Sequence, residues 1–163
     1  MTMTHSGAET VVAGEPRPII PALAPFYAWT RDLSYLLIRV TVGGVFLAHG
    51  IIKLMTTTIS AFAAGSLARR GIEPALPLAY VVWFLETIGA VCLILGLFTR
   101  FFAAAIAIEL AVITFAASWP NGFAFSSRGG GWEFPFLWGL VVFAIALRGG
   151  GPYSLDRKLG WEL

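Results

Sequence analysis

Four apolar runs constrain this 163-residue chain more than any other feature. A helix that crosses the ~30 Å hydrocarbon core of a bilayer needs ~20 predominantly apolar residues at ~1.5 Å each. The runs lie at about 33–52, 78–98, 101–117 and 132–147, the last two on the short side. Pro77 opens the second run and Pro135 sits in the first turn of the fourth, positions where a helix tolerates proline. Only 12% of the residues are charged. A soluble domain carries about 25%, so much of this surface must face lipid. The expected fold class is all-α: a four-helix transmembrane bundle.

The connections agree with that fold. Thr99 and Arg100 alone separate the second and third runs, which forces an antiparallel pair of neighbours. Within 53–76, "ISAFAAGSLARRGIE" predicts a short amphipathic surface helix between the first and second crossings. The connection 118–131 is rich in turn formers, "PNG" and then "SSRGGG". Trp119, Trp132 and Trp138 at the run edges fit an interfacial aromatic belt.

Three segments follow. Residues 1–28 read as a flexible tail, Pro-rich at its end, where "PRPIIPALAP" holds four prolines. Residues 29–158 form the membrane domain, and 148–163 a short cytoplasmic C-terminal tail. The first fifteen residues lack the basic region and apolar core of a secretory signal. With four crossings both termini share one side. That side holds six cations (Arg17, Arg31, Arg100, Arg148, Arg157 and Lys158) against four on the other (Lys53, Arg69, Arg70 and Arg128). The bias predicts that both termini lie in the cytoplasm.

Inventory removes several activities. A net charge of +2 without basic runs argues against nucleic acid. Cys92 is the single cysteine, so an internal disulfide, a CxxC relay and an iron–sulfur ligand set are all absent, and it reads as a small buried hydrophobe. A membrane haem often takes a histidine pair, whereas only His49 of the two histidines lies in a membrane run. No metal site is expected.

What remains is a set of ionisable residues inside the runs. A charge at mid-bilayer costs at least ~2.5 kcal/mol. In the first run Arg39, Gly43, Phe46, Gly50 and Lys53 recur at helical spacing; Glu86 and Gly89 do so in the second, Ala105 and Glu109 in the third. Each ionisable residue thus shares a face with the small residues that mark helix contacts in membranes. Rise per residue puts Arg39, Glu86 and Glu109 within one turn of a common level. Arg39 is therefore expected to meet both glutamates, which would share a proton because two ionised acids repel. His49, Lys53, Asn121, Trp132 and Glu133 fall toward the opposite end from the termini, where an outer polar pocket is expected. Blander readings stand beside these: a register lock for the Arg39 trio, helix capping for His49 and Glu133, and snorkelling for Lys53.

The strings "RVTVGGVFLAHGIIKL", "LAYVVWFLETIGAVCLILGLFTR", "PNGF", "GGGWEFP" and "GPYSLD" together resemble the DoxX family of small bacterial membrane proteins, over about residues 33–156. The resemblance implies a four-helix inner-membrane fold and motif positions Arg39, His49, Gly50, Lys53, Glu86, Gly89, Thr99, Arg100 and Glu133. Some relatives resemble small subunits of thiosulfate:quinone oxidoreductases. Many relatives place a histidine before the third-loop proline, where this chain has Trp119. Three functions are compatible. The first is a subunit of a redox-linked complex that binds quinone through His49 and Lys53 and passes protons through Glu86 and Glu109, with Arg39, Asn121, Trp132 and Glu133 as binding residues. The second is a non-catalytic membrane anchor or assembly subunit. The third is a permease for a small metabolite or ion, built as a homodimer. A protein partner is expected in the first two, and quinone is the one cofactor expected, bound without a covalent link.

Overall fold

The computed structural model describes residues 18–162, and among these every regular element is helical. The expectations placed on residues 1–17 of the tail lie outside the described residues. The elements are α1 (Ala24–Thr56), the short α2 (Ile59–Phe62), α3 (Ala75–Leu95), α4 (Thr99–Asn121), α5 (Glu133–Arg148) and the short α6 (Leu155–Leu159). Three helical stretches are long and apolar enough to cross a membrane: Pro21–Thr56, Ala75–Leu95 and Thr99–Asn121. α5 is apolar too, but its 16 residues are fewer.

α1 begins well before the expected boundary at about 33, so the part of the tail between 24 and 28 is helical. The reason is local. Pro21 and Pro25 both fall in first turns, where no intrahelical N–H is required, so the prolines start helix instead of breaking it. Past α1, Thr58 caps α2 by accepting from the Ala61 N–H at 3.2 Å. The chain then continues as helical turns through Arg70, and Ala63 packs there with Ala75 and Ala79 of α3.

The helices meet through small residues. A Cβ on Gly43 would stand 2.6 Å from the Ile94 side chain and 3.0 Å from the Ala90 carbonyl oxygen. One on Gly50 would stand 2.7 Å from the Glu86 carbonyl oxygen. Both glycines of the α1 stripe therefore bring its backbone against α3, as expected for helices that associate by close packing rather than by expulsion of water. Val42, Leu93, Ile106, Val142 and Ile145 fill the centre, all essentially inaccessible.

α3 and α4 each change winding partway. Leu85–Gly89 and Ile113–Ser118 form π turns. A π turn inserts an extra residue and re-aims the side chains around it, and such turns occur often at functional sites. The first of them contains Glu86.

The C-terminal segment, expected as a short tail, folds back onto the helices. Ser154 and Asp156 are 4% and 2% exposed. Arg100 donates through Nε to Glu162 at 2.9 Å and through NH1 to the Ala146 and Leu147 carbonyls, so it closes the C-terminal end of α5.

Candidate functional site

Two polar regions occupy the interior, one at each end of the bundle. At the end near the C-terminus, the Gly96–Phe98 turn joins α3 to α4. Asp156 caps α4 from a distant part of the chain. Its Oδ1 accepts from the Phe98 N–H at 2.7 Å; its Oδ2 accepts from the Thr99 N–H at 2.9 Å and the Thr99 hydroxyl at 2.7 Å. Its own N–H donates to the Gly96 carbonyl at 2.9 Å. The carboxylate thus serves the helix N-terminus, where free N–H groups and the dipole favour an anion.

Arg39 belongs to this region. It is 1% exposed, donates through NH2 to the Tyr153 carbonyl, and lies within electrostatic reach of Asp156. The Tyr35 hydroxyl, one turn away on α1, donates to the Gly149 carbonyl, and the Arg148 guanidinium lies over the Tyr35 ring at 4.1 Å. Gly96 is what admits Arg39. A Cβ there would stand 1.6 Å from NH1, and the residue's φ of +71° is left-handed. The expected meeting of Arg39 with Glu86 and Glu109 is therefore corrected. The reason is the length of the side chain: level on the helix gives the height of a Cα, whereas the guanidinium extends toward the C-terminal segment that supplies its acceptors.

The glutamates form the other region, with Lys53 as their cation. Lys53 Nζ donates to Glu86 Oε1 and lies 5.0 Å from the centroid of the Phe62 ring. Glu86 is 4% exposed and Glu109 is 8% exposed, and their charges interact across the α3–α4 contact. Glu86 Oε2 and both carboxyl oxygens of Glu109 are buried and meet no N–H or O–H donor, while the two carboxyl groups lie within hydrogen-bond reach of each other; the Trp83 indole N–H is also buried without an acceptor. Buried polar atoms are nearly always paired, and a proton held between the two carboxyl groups would pair one oxygen of each.

A cavity of about 250 Å³ adjoins these groups. His49, Lys53 and Glu86 supply its polar wall, and Phe46, Phe134 and Trp138 stand among its aromatic lining. Phe125 and Gly130 of the 118–131 connection also line it. His49 Nδ1 bonds to the Val45 carbonyl one turn back, at 2.8 Å, which orients the ring. A second cavity, of about 360 Å³ between α4 and α5, is lined by apolar residues apart from Thr114. The Thr114 hydroxyl donates to the Leu110 carbonyl at 2.7 Å, so that groove offers no free polar group for chemistry.

Of the eight residues singled out from sequence, the structure brings His49, Lys53 and Glu86 to one cavity, with Glu109 beside Glu86. Asn121, Trp132 and Glu133 do not line it; they build the connection that does. Asn121 Nδ2 donates to the Gly129 and Gly130 carbonyls at 3.0 and 2.9 Å. Trp132 stacks on Trp119 with ring centroids 5.0 Å apart, and Glu133 Oε1 accepts from the Phe125 N–H at 2.8 Å. Turn-rich loops leave backbone groups unpaired, and these side chains pair them. Sequence reasoning missed Tyr35, Trp83 and Asp156. Asp156 stood in the "GPYSLD" string, but its partners are 57 and 58 residues away, and no local spacing connects them. Trp83 lies three residues before Glu86, one turn along the same helix face, and that was a usable signal.

The DoxX family profile matches residues 34–119, which contain α3, most of α1, the glutamates and the polar wall of the cavity. The chain is also similar to an uncharacterized protein of Haemophilus influenzae, 33% identical over 124 residues, or 74% of this chain and 87% of that one. No solved structure matches it.

Proposed function

The chain belongs to the DoxX family, and from that premise we propose that it is the membrane subunit of a redox-linked complex that binds a quinone headgroup in the cavity lined by His49, Lys53 and Glu86. In this reading α5 is a fourth crossing: its 16 residues give ~24 Å, enough for a short or locally thinned path. The turns at 59–70 lie along the membrane surface. Both termini are cytoplasmic, in keeping with the excess of cations on their side. The cavity then opens toward the outer face of an inner membrane.

The observation that carries the proposal is the wall itself. His49 and Lys53 lie four residues apart on one helix face, ~6 Å along the axis. That spacing is comparable to the distance between the two ring oxygens of a quinone or its quinol, and the aromatic lining suits a flat ring between them. A quinone brings its own redox chemistry, so the protein need supply only a dry slot, hydrogen bonds and protons. A partner enzyme delivers two electrons, and two protons reach the ring oxygens to give the quinol. Glu86 and Glu109 are placed to relay those protons, since the two carboxyl groups lie together in the interior and Glu86 lines the cavity. Lys53 joins this pair to the cavity because it touches Glu86 and lines the wall.

The test is a mild-detergent purification of the tagged protein from its membrane, analysed for lipid quinone and for co-purifying protein. Lys53→Met should lower retained quinone about tenfold while leaving the partner bound. Retention of a partner enzyme, with no quinone in wild type and with His49 and Lys53 both dispensable for activity, would establish the anchoring role instead.

A further inference from the structure

His49 and Lys53 present different hydrogen-bonding groups to the cavity that His49 lines. Its Nδ1 faces a backbone carbonyl, the Val45 oxygen, at 2.8 Å. A carbonyl oxygen can only accept, so Nδ1 carries the proton and donates it. In the neutral ring the other nitrogen, Nε2, is then a bare acceptor. No hydrogen-bond partner meets Nε2 among the described residues, and the ring lines the cavity. At the other end of the wall, the Lys53 ammonium has three donors, of which one goes to Glu86.

The wall is thus asymmetric: a donor at Lys53 and an acceptor at His49. A quinone has two carbonyl oxygens and no donor. One of them suits Lys53, while the other would face the Nε2 lone pair and repel it. A quinol has a hydroxyl at each position. One hydroxyl accepts from Lys53 through its oxygen, and the other donates to Nε2. We infer that this cavity selects the reduced, dihydroxy form of its ring over the oxidised form, with His49 as the specificity-determining residue. The inference rests on the proposed quinone site and adds its redox preference. It gives the site a direction. Tighter binding of the reduced form raises the potential of the bound couple by ~30 mV per tenfold preference in a two-electron reaction. The bound quinone is thereby a better electron acceptor than the same quinone free in the bilayer.

The experiment titrates the detergent-purified protein with a tail-less benzoquinone and, anaerobically, with its hydroquinone, read by intrinsic tryptophan fluorescence at pH 8. Wild type should bind the hydroquinone at least tenfold more tightly. His49→Ala should reduce the ratio to within about twofold, chiefly by weakening the hydroquinone. His49→Gln, whose amide can turn either a donor or an acceptor inward, should bind both forms with a ratio between those two. Equal affinities in wild type, or a preference that survives His49→Ala, would overturn the inference and leave the quinone site standing. Binding of neither form would overturn both.

Discussion

At one end of the bundle Asp156 accepts three hydrogen bonds and lies within electrostatic reach of Arg39; at the other, Glu86 and Glu109 lie together with three of their four carboxyl oxygens meeting no donor. Both regions bury acids in a chain that has few charges. In the first, Asp156 lines a cavity of about 530 Å³ together with Arg148, Arg157 and Glu162, yet its carboxylate is fully engaged by donors at a helix N-terminus. The second borders a cavity, and its acids are matched by a single ammonium. The contrast is between an acid whose hydrogen bonds are closed within the fold and a pair of acids whose bonds are not. Pairing, rather than burial, makes the difference, since all these side chains are buried to a similar degree. Even the paired region is not perfect: Arg39 Nε and NH1 have no acceptor. Its charge is nevertheless offset by a fixed anion.

The largest effect should come from Asp156→Ala. It removes the cap of α4 and leaves the Phe98 and Thr99 N–H groups and the Thr99 hydroxyl without their acceptor, a loss on the order of 3 kcal/mol. Denaturant unfolding in detergent would measure it, and wild-type stability in that variant would break the assignment of this end as structural. Gly96→Ala should come next, at about 1–3 kcal/mol, because the new methyl meets Arg39 in a left-handed backbone that alanine resists. A change smaller than a few tenths of a kcal/mol would mean that Arg39 does not approach that turn. The smallest effect is expected from Glu109→Gln. An amide keeps the size and hydrogen-bonding capacity of the carboxyl group and places no charge beside Glu86, so stability should change by less than about 1 kcal/mol. Quinone-linked activity should fall, since the amide cannot release a proton. A destabilisation as large as that of Asp156→Ala would show that the glutamate pair is a structural lock as well.

Much of the architecture was legible in residue order. Apolar runs of membrane length, prolines at helix starts and a two-residue link between the second and third runs specify antiparallel helices, because in lipid every backbone group must be satisfied within its own helix. The small-residue stripe of α1 was legible for the same reason: period 3.6 depends on no neighbour. Spacing also placed His49 and Lys53 on one face, since four residues is one turn.

Which charge meets which was decided only in three dimensions. Arg39 and Lys53 lie on one stripe of α1, and from the sequence either one could face the glutamates. The choice followed from the C-terminal segment, which folds back over a hundred residues later in the chain and places Asp156 and the Tyr153 carbonyl beside Arg39. With that cation engaged, Lys53 is left to Glu86. The π turn at Leu85–Gly89 likewise has no mark in the local sequence, yet it contains the residue that Lys53 bonds. Helical periodicity acts between residues a few positions apart and can be read along the chain. Charge pairing in a membrane interior is a competition among distant groups for few partners, and only the packed structure determines which of them meet.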